Sequence, residues 1–351
     1  NGFIRKGWIM SYVKDLEKDD KVSDRALVTS GLFQDGASNI STYFTSSTQN
    51  TNTGDYNLDV YRYNPSNNAS ASAQFGIAYG HLQGSGSLGT KGATGDRTTA
   101  AVYGQFNNMI NPPQTTRFTF GPKSTVKHFY ALTFNRARIR EQMEPGGWEL
   151  HLGSGANKIK LIDDSSNNKG GNQNLRNFSP EYNIVSGTLV GGTTINRAAT
   201  SEPVGSGSYG SFYPSLGVLL LNPDRLGDTN GLNLTTTQTS NSDVRNHKQL
   251  FDNIKSGSYF QAKRQEEITS THYFVRAKAG EFNATSNETY YTESVAGVKS
   301  IVPGLKVEPK TYITTVGLYN ADSELIAVAK LSQPILKSKS REALIKVKLD
   351  F

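Results

Sequence analysis

The pattern of apolar and polar residues is most regular at the C-terminal end of the chain. From Ile345 to Phe351 every second residue is apolar and the residues between them are charged. This period of two predicts a strand with one buried face and one hydrated face. Upstream, residues 312–319 and 324–330 are rich in β-branched, aromatic and aliphatic side chains, and Asn320-Ala-Asp-Ser between them favours a turn, so we predict a β-hairpin.

Similar apolar runs recur along the rest of the chain and predict further strands. They lie at residues 26–33, 56–63, 75–79, 118–120, 127–140, 148–152, 158–162, 216–221, 258–263 and 271–278. The clearest internal hairpin joins 148–152 to 158–162 through Gly153-Ser-Gly-Ala-Asn, and another is predicted around Gly191-Gly192. Helix signals are fewer: residues 242–255 form the best candidate, 11–20 allow two turns at most, and 100–109 fits a helix or a strand.

These elements predict a mainly β fold of antiparallel, β-sandwich-like domains with long loops and one or two short helices. The composition agrees, because hydrophobic residues make up only 35% and the 17 Tyr and 16 Phe supply much of the apolar area. We divide the chain into four parts. They are an N-terminal arm with a short helix (1–36), a β domain (37–165), a β insertion or subdomain (166–241), and a helix followed by a C-terminal antiparallel β domain (242–351). Whether 166–241 folds independently stays open.

Several classes of protein are excluded or made less favourable by what the sequence lacks. The chain has no cysteine, which excludes disulfides, thiolate zinc sites and thiol catalysis. No window approaches 18 apolar residues, so no membrane-spanning helix is predicted. The first nine residues have neither the apolar core of a signal peptide nor an initiating methionine, so Met10 is a candidate start and the sequence leaves open whether it is a fragment.

The formal net charge of +7 permits nucleic-acid binding, but the basic residues are scattered along the sequence. The densest group is Arg136, Arg138 and Arg140, which alternation along a predicted strand would place on one face. Such a face fits a carboxylate-bearing protein partner or solvent better than nucleic acid. We therefore predict a protein interface there and no nucleic-acid partner.

No catalytic, cofactor or metal site is predicted. The five histidines share no metal-binding spacing, and the glycine-rich segment 80–96 lacks the spacing of a phosphate-binding loop. Asp163 and Asp164 fall in a polar stretch that fits a solvated turn better than a calcium loop. No sequence signal brings two carboxylates together for sugar cleavage, so the sequence does not predict an enzyme.

Three stretches, 272–290, 309–320 and 324–337, together with the closing strand 343–351, resemble virion structural proteins of contractile-tailed bacteriophages (myophages). The shared pattern is Gly-Leu-Tyr-Asn, a polar turn, Glu-Leu-Ile-Ala-Val-Ala, a proline and an alternating final strand. It is similar to a module of baseplate and fibre-attachment proteins, covers about the last quarter of the chain, and has a looser counterpart in 74–164. The resemblance implies a virion protein assembled in the host cytoplasm, without cofactor or catalytic residues.

The resemblance implies a baseplate subunit that links wedge or hub proteins to peripheral components such as tail fibres. Its expected partners are other tail proteins and copies of itself. Candidate contacts lie in the N-terminal arm, the glycine-rich loop, the arginine group and the basic link that follows Pro334. These residues are Phe3, Trp8, Tyr12, His81, Leu82, Leu88, Lys91, Arg136, Arg138, Arg140, Lys337, Lys339 and Arg341. A receptor- or glycan-binding tip protein and a polysaccharide depolymerase are the alternatives.

Overall fold

The secondary structure is dominated by antiparallel strands. The computed structural model describes residues 14–46, 57–87, 97–120, 124–166, 172–173, 179–190, 193–196, 208–230, 232, 246–295 and 297–350. The strands are β1 Lys21–Gly31, β2 Asn39–Ile40, β3 Asn57–Tyr61, β4 Ala73–His81, β5 Phe118–Phe120, β6 Ser124–Val126, β7 His128–Thr133, β8 Gln142–Met143, β9 Glu149–Leu152, β10 Ile159–Asp163, β11 Asn172–Gln173, β12 Pro180–Val190, β13 Thr193–Asn196, β14 Gly210–Tyr213, β15 Val218–Leu221, β16 Phe260–Gln261, β17 Lys263–Ala277, β18 Tyr291–Glu293, β19 Lys299–Ile301, β20 Lys310–Tyr319, β21 Leu325–Ser338 and β22 Ala343–Asp350.

Helices are short in the described part of the chain. They are α1 Thr98–Ile110, α2 Arg136–Ile139, α3 Pro223–Asn230, α4 Asn246–Gly257 and α5 Pro303–Val307, with 3-10 turns at Lys18–Asp20, Gln34–Gly36, Gly155–Asn157 and Glu288–Tyr290. The mainly β, antiparallel fold class is therefore confirmed. The expectation of one or two helices was too low. Segment 100–109 is helical because Thr99, Tyr103 and Ile110 share one buried stripe.

The chain forms two compact units. One comprises residues 1–26 and 268–351, and the other comprises residues 27–267. We call them the terminal unit and the central unit. Strands β1 and β17 each contribute residues to both.

The central unit contains a large antiparallel sheet with the strand order β2-β16-β9-β10-β12-β14-β15-β7-β4-β3, and β11 and β13 pair with β12. Its middle strands are buried on both faces. In β15, Leu219 and Leu221 pack into one apolar cluster while Val218 and Leu220 pack into another. A continuous apolar run is therefore required at β15, and the predicted strand at 216–221 is confirmed.

Each face of this sheet is covered by a helix and neighbouring segments. Leu250, Phe251 and Ile254 of α4 pack into the cluster that contains Trp148. On the opposite face, Tyr103 of α1 packs with strands β5 and β6, and its hydroxyl donates to the carbonyl of Val126 at 3.0 Å. Burial on both faces explains how a chain with few aliphatic residues builds a substantial core from aromatic rings.

The predicted hairpin at 148–162 is confirmed, because β9 pairs with β10 and places Leu150 opposite Leu161. The predicted hairpin around residues 191–192 is also present, since β12 pairs with β13 on either side of them.

The predicted domain boundary at 165/166 differs from the boundaries of the observed units. Strands β12, β14 and β15 from segment 166–241 lie between β10 and β7 in the same sheet.

In the terminal unit, β22 pairs with the second half of β17, with Ile345 opposite Val275. The alternation predicted from Ile345 onward is confirmed in the described residues: Ile345 and Val347 are buried, Leu349 is half-buried, and the residues between them are exposed. Phe351 lies outside the described residues. The predicted hairpin is formed by β20 and β21. Strand β21 runs through Pro334 to Ser338, and Pro334 is tolerated because it lies where the pairing register shifts.

Candidate protein interface

The hairpin β20–β21 has one covered face and one exposed face. Ile313, Val316 and Leu318 on β20, and Ala327 and Ala329 on β21, belong to the apolar cluster that includes Ile345 and Val347. These contacts fix the inner face of the hairpin against the final strands. The outer face therefore has a defined orientation, and none of the residues described in the terminal unit covers it near the turn.

The outer face carries four large apolar side chains near the turn, which we call the hairpin-tip patch. The exposed fractions are 51% for Tyr319, 53% for Leu325, 63% for Ile326 and 58% for Val328. Gly317 lies opposite Val328, and a Cβ atom there would lie 3.0 Å from the Tyr319 ring and 3.2 Å from Leu325 Cδ1. The two side chains thus cover Gly317, and the patch is contiguous.

A tight polar turn holds the patch in shape. Asn320 Oδ1 accepts from the Glu324 N–H at 2.7 Å, and Asn320 Nδ2 donates to Glu324 Oε2 at 2.8 Å. Ser323 adopts φ +65°, and the pairing shifts between Leu318 and Tyr319, which places both Leu325 and Ile326 at a bulge. The bulge exposes two consecutive apolar residues. Contiguous exposed apolar residues of this kind mark protein interaction sites.

The sequence prediction missed the hairpin-tip patch as a site. The pattern of Glu324–Lys330 predicts a strand but does not indicate what covers its second face. A signal was present, because Leu325, Ile326 and Val328 are apolar in addition to the inward Ala327 and Ala329. A hairpin that is apolar on both faces needs two covering layers.

The arginine group does not form the predicted strand face, and that prediction was wrong. Asn135 caps a short helix by accepting from the Ala137 N–H, and Arg140 adopts φ +54°. Because the backbone turns there, the three side chains diverge. Arg136 donates to the carbonyl of Ser215, Arg138 to the carbonyl of Ala73, and Arg140 to both carboxylate oxygens of Glu266. The three guanidinium groups support separate local contacts in the central unit.

Lys337 was predicted in a basic link after Pro334, and that prediction was wrong. The residue belongs to β21, and its side chain is fully buried. Its ammonium group donates to the carbonyls of Ala279 and Ser338 and to Asn283 Oδ1, each at 3.0 Å. Burial lowers the pKa of Lys337. This residue anchors the segment around 279–283 to the base of the hairpin.

Lys339 and Arg341 remain exposed in the turn between β21 and β22, where the Arg341 N–H donates to the Ser338 carbonyl at 3.1 Å. Their role in an interface stays a prediction. Other candidate residues, Phe3, Trp8, Tyr12, Leu88 and Lys91, lie outside the described residues.

His81 was predicted in an exposed loop, but it is the last residue of β4 and is buried. Its Nδ1 accepts from the N–H groups of Gln83 and Ser85, at 3.1 and 3.3 Å. The next residue, Leu82, is half-buried and its N–H donates to the Lys127 carbonyl. His81 therefore shapes the turn that opens the glycine-rich segment.

His81 should make the stability of the central unit pH-dependent. Burial, together with neighbouring His128 and Lys127, lowers the pKa of His81 to about 4, against a small opposing effect of Asp224. The unfolded chain therefore binds more protons between pH 4 and 6.5, and stability falls as the pH drops through this window. We expect a loss of about 1 to 2 kcal/mol, reduced from about 1.36 kcal/mol per pKa unit by solvent screening.

The measurement is urea unfolding of the wild type and of His81→Gln between pH 4.5 and 7. The stability gap between the two proteins should shrink as the pH falls. An imidazole titration of His81 with a midpoint at 6 or above would contradict the expected window.

A shallow polar cleft of about 340 Å³ lies elsewhere in the central unit and is lined by Gln142, Pro145, Ser165, Pro180, Tyr182 and Gln265. Tyr182 is buried, so its ring offers no open platform for a sugar.

Asp163 lies near this cleft and is buried, so the prediction that it lies in a solvated turn was wrong. Its carboxylate accepts hydrogen bonds from the N–H groups of Gly146 and Ser165. These bonds connect the turn at Gly146 to the turn at Ser165. Burial raises the pKa of Asp163.

Within the described residues, no group of three or more His, Asp or Glu side chains is arranged to hold a metal ion. No described helix combines the length and apolarity required to cross a membrane. Comparisons of the chain with protein-family models, with curated proteins and with solved structures give no match. The functional proposal therefore depends on the residues and their geometry.

Proposed function

We propose that this protein is a structural subunit of a contractile-tail baseplate that joins wedge or hub proteins to peripheral components such as tail fibres. The observation that carries the proposal is the hairpin-tip patch. The sequence stretches that resemble myophage tail proteins, 309–320 and 324–337, form the hairpin that exposes it.

The packing of the terminal unit supports an assembly role. Among the described residues, its hairpin cluster has three buried members, Leu318, Ile345 and Val347, while four large apolar side chains near the turn stay exposed on the other face of the same hairpin. Burying those four side chains against a neighbour adds apolar area that the unit cannot bury alone. Interfaces in permanent assemblies are rich in such side chains.

The proposal is tested by locating the chain in purified tailed particles. Gold-conjugated antibodies raised against the purified protein should label the baseplate end of the tail, and mass spectrometry should find several copies per particle. Supplied in trans to a deletion strain, Ile326→Asp should enter particles at less than about a tenth of the wild-type level, because a carboxylate is costly to bury. Ser332→Asp, an exposed position farther along β21, is the matched control and should enter normally.

Absence of the protein from purified particles would overturn the baseplate proposal. Binding of the purified protein to a glycan array, with label at the distal ends of fibres, would favour the receptor-binding tip. Cleavage of a host polysaccharide would favour the depolymerase. These results separate the three functions by location and by chemistry.

A further inference from the structure

The hairpin-tip patch is bordered by charges of opposite sign. The turn contributes the exposed carboxylates of Asp322 and Glu324, and Lys330 follows the patch on the outer side of β21. Within the described part of the chain, the Lys330 ammonium group forms neither an ion pair nor a side-chain hydrogen bond. The outer face is thus acidic at the turn, apolar in the middle and basic beyond it.

These charges lie on either side of the middle of the patch, where Ala327 pairs with Leu318 of β20. Glu324 lies opposite Asn320, two residues from Leu318 across the bulge, and Lys330 pairs with Thr315, three residues from Leu318 in the other direction. At about 3.3 Å per residue, the two charges lie roughly 7 Å and 10 Å from the level of Leu318. A two-fold axis near this level, lying in the interface at right angles to the strands, therefore brings Glu324 of one copy close to Lys330 of another.

We propose that the hairpin-tip patch binds a second copy of this chain in an antiparallel, two-fold contact. Tyr319, Leu325, Ile326 and Val328 of one copy pack against the same residues of the other. Two Glu324–Lys330 pairs close the rim. A two-fold interface must be self-complementary, and the acidic-apolar-basic order of this face meets that requirement. The inference rests on the proposed function in one respect: a subunit that is present in several copies per particle needs contacts between those copies.

Charge reversal provides the test. Sedimentation velocity over a concentration series should show that the full-length wild type dimerises reversibly. Lys330→Glu and Glu324→Lys each turn two attractive pairs into two repulsive ones, so each variant alone should dimerise at least about 10-fold more weakly. An equimolar mixture of the two variants restores opposite charges at both rim positions, and it should recover dimers near the wild-type level.

Ile326→Asp should weaken the dimer more than about 100-fold, since the patch supplies the apolar centre of the contact. Circular dichroism of every variant should match the wild type, and so should hydrogen exchange of residues 319–325 in Glu324→Lys, whose side chain no longer accepts from Asn320 Nδ2. These controls separate a lost contact from a lost turn or a lost fold. Lys339→Glu, in the exposed turn after β21, is the matched charge control and should dimerise normally.

Three outcomes overturn the self-pairing. They are a wild type that stays monomeric throughout the series, a dimer that both reversals leave intact, and reversals that weaken the dimer without rescue on mixing. A monomer whose Ile326→Asp variant still fails to enter particles assigns the patch to another protein and leaves the baseplate proposal standing. A rescued dimer from a protein absent from particles establishes the pairing and removes the baseplate proposal.

Discussion

Replacing Gly210 with alanine is expected to unfold the central unit. Gly210 begins β14 and pairs with Ile184 on one side and Leu221 on the other, so it lies inside the large sheet. Its φ is +154°, and a Cβ atom would overlap the carbonyl oxygen of Leu220. The clash is with the backbone of β15, which pairs with β7 on its far side, so no side-chain rotation relieves it.

The expected cost exceeds about 4 kcal/mol, which combines backbone strain with disruption of packing on both sheet faces. Since a domain is stable by only about 5 to 15 kcal/mol, most of the protein should lose its native central sheet. Trp148 reports the loss, because its ring packs edge-on against Phe212 of β14, with centroids 5.6 Å apart.

The measurement is tryptophan emission and urea unfolding in a Trp8→Phe background, so that Trp148 is the only fluorophore of its kind. Gly210→Ala should show red-shifted emission at zero urea. Gly104→Ala is the matched control. Gly104 lies within α1 with open space around its Cα, so alanine there should raise stability by about 0.5 to 1 kcal/mol. Native Trp148 emission in Gly210→Ala would show that the sheet accommodates the added Cβ atom, and it would contradict the prediction.

The elements that sequence could predict are those whose burial is decided locally. Alternation placed Ile345, Val347 and Leu349 on one face because side chains along a strand repeat every two residues. The apolar run at β15 required burial on both faces, and it lies in the middle of the sheet. Such strands can be predicted from the spacing of apolar residues alone, because that spacing shows which faces are buried without knowledge of the partner strand.

The predictions for the arginine group and for Lys337 were wrong because their positions depend on contacts that the spacing of apolar residues does not reveal. One capping side chain, Asn135, was enough to replace an extended backbone with a helical turn at Arg136–Ile139. Burial of Lys337 depends on three oxygens, two of which come from residues more than 50 positions away in sequence. Lysine is almost never fully buried without such partners, so the sequence favoured an exposed position.

The candidate interface shows the same division. The hairpin itself was predictable from its strands and turn, but the exposure of its outer face was not. Exposure depends on which face Ile345 and Val347 of the neighbouring sheet cover, and that is a property of the assembled terminal unit. Once the covered face is known, the apolar residues left over on the other face identify the patch.

Replacing Lys337 with methionine is expected to destabilise the terminal unit by about 3 kcal/mol. Methionine preserves much of the side-chain length and apolar contact but removes the ammonium group. The carbonyls of Ala279 and Ser338 and the amide oxygen of Asn283 then lose a charged donor at a buried site. A buried acceptor left without its donor costs about 1 to 3 kcal/mol, and hydrogen bonds from charged groups lie at the upper end.

Hydrogen exchange measured by mass spectrometry checks this prediction within the terminal unit. In Lys337→Met, amide protection in β20, β21 and β22 should fall about 100-fold, because about 2.8 kcal/mol corresponds to a factor of 100 in the opening equilibrium. Lys339→Met, two residues later and exposed, is the matched control and should change stability by less than about 0.5 kcal/mol. Equal protection in the two variants would show that the Lys337 ammonium group does not hold the hairpin base. Loss of protection confined to Lys337→Met would establish that this buried charge stabilises the base of the hairpin that carries the hairpin-tip patch.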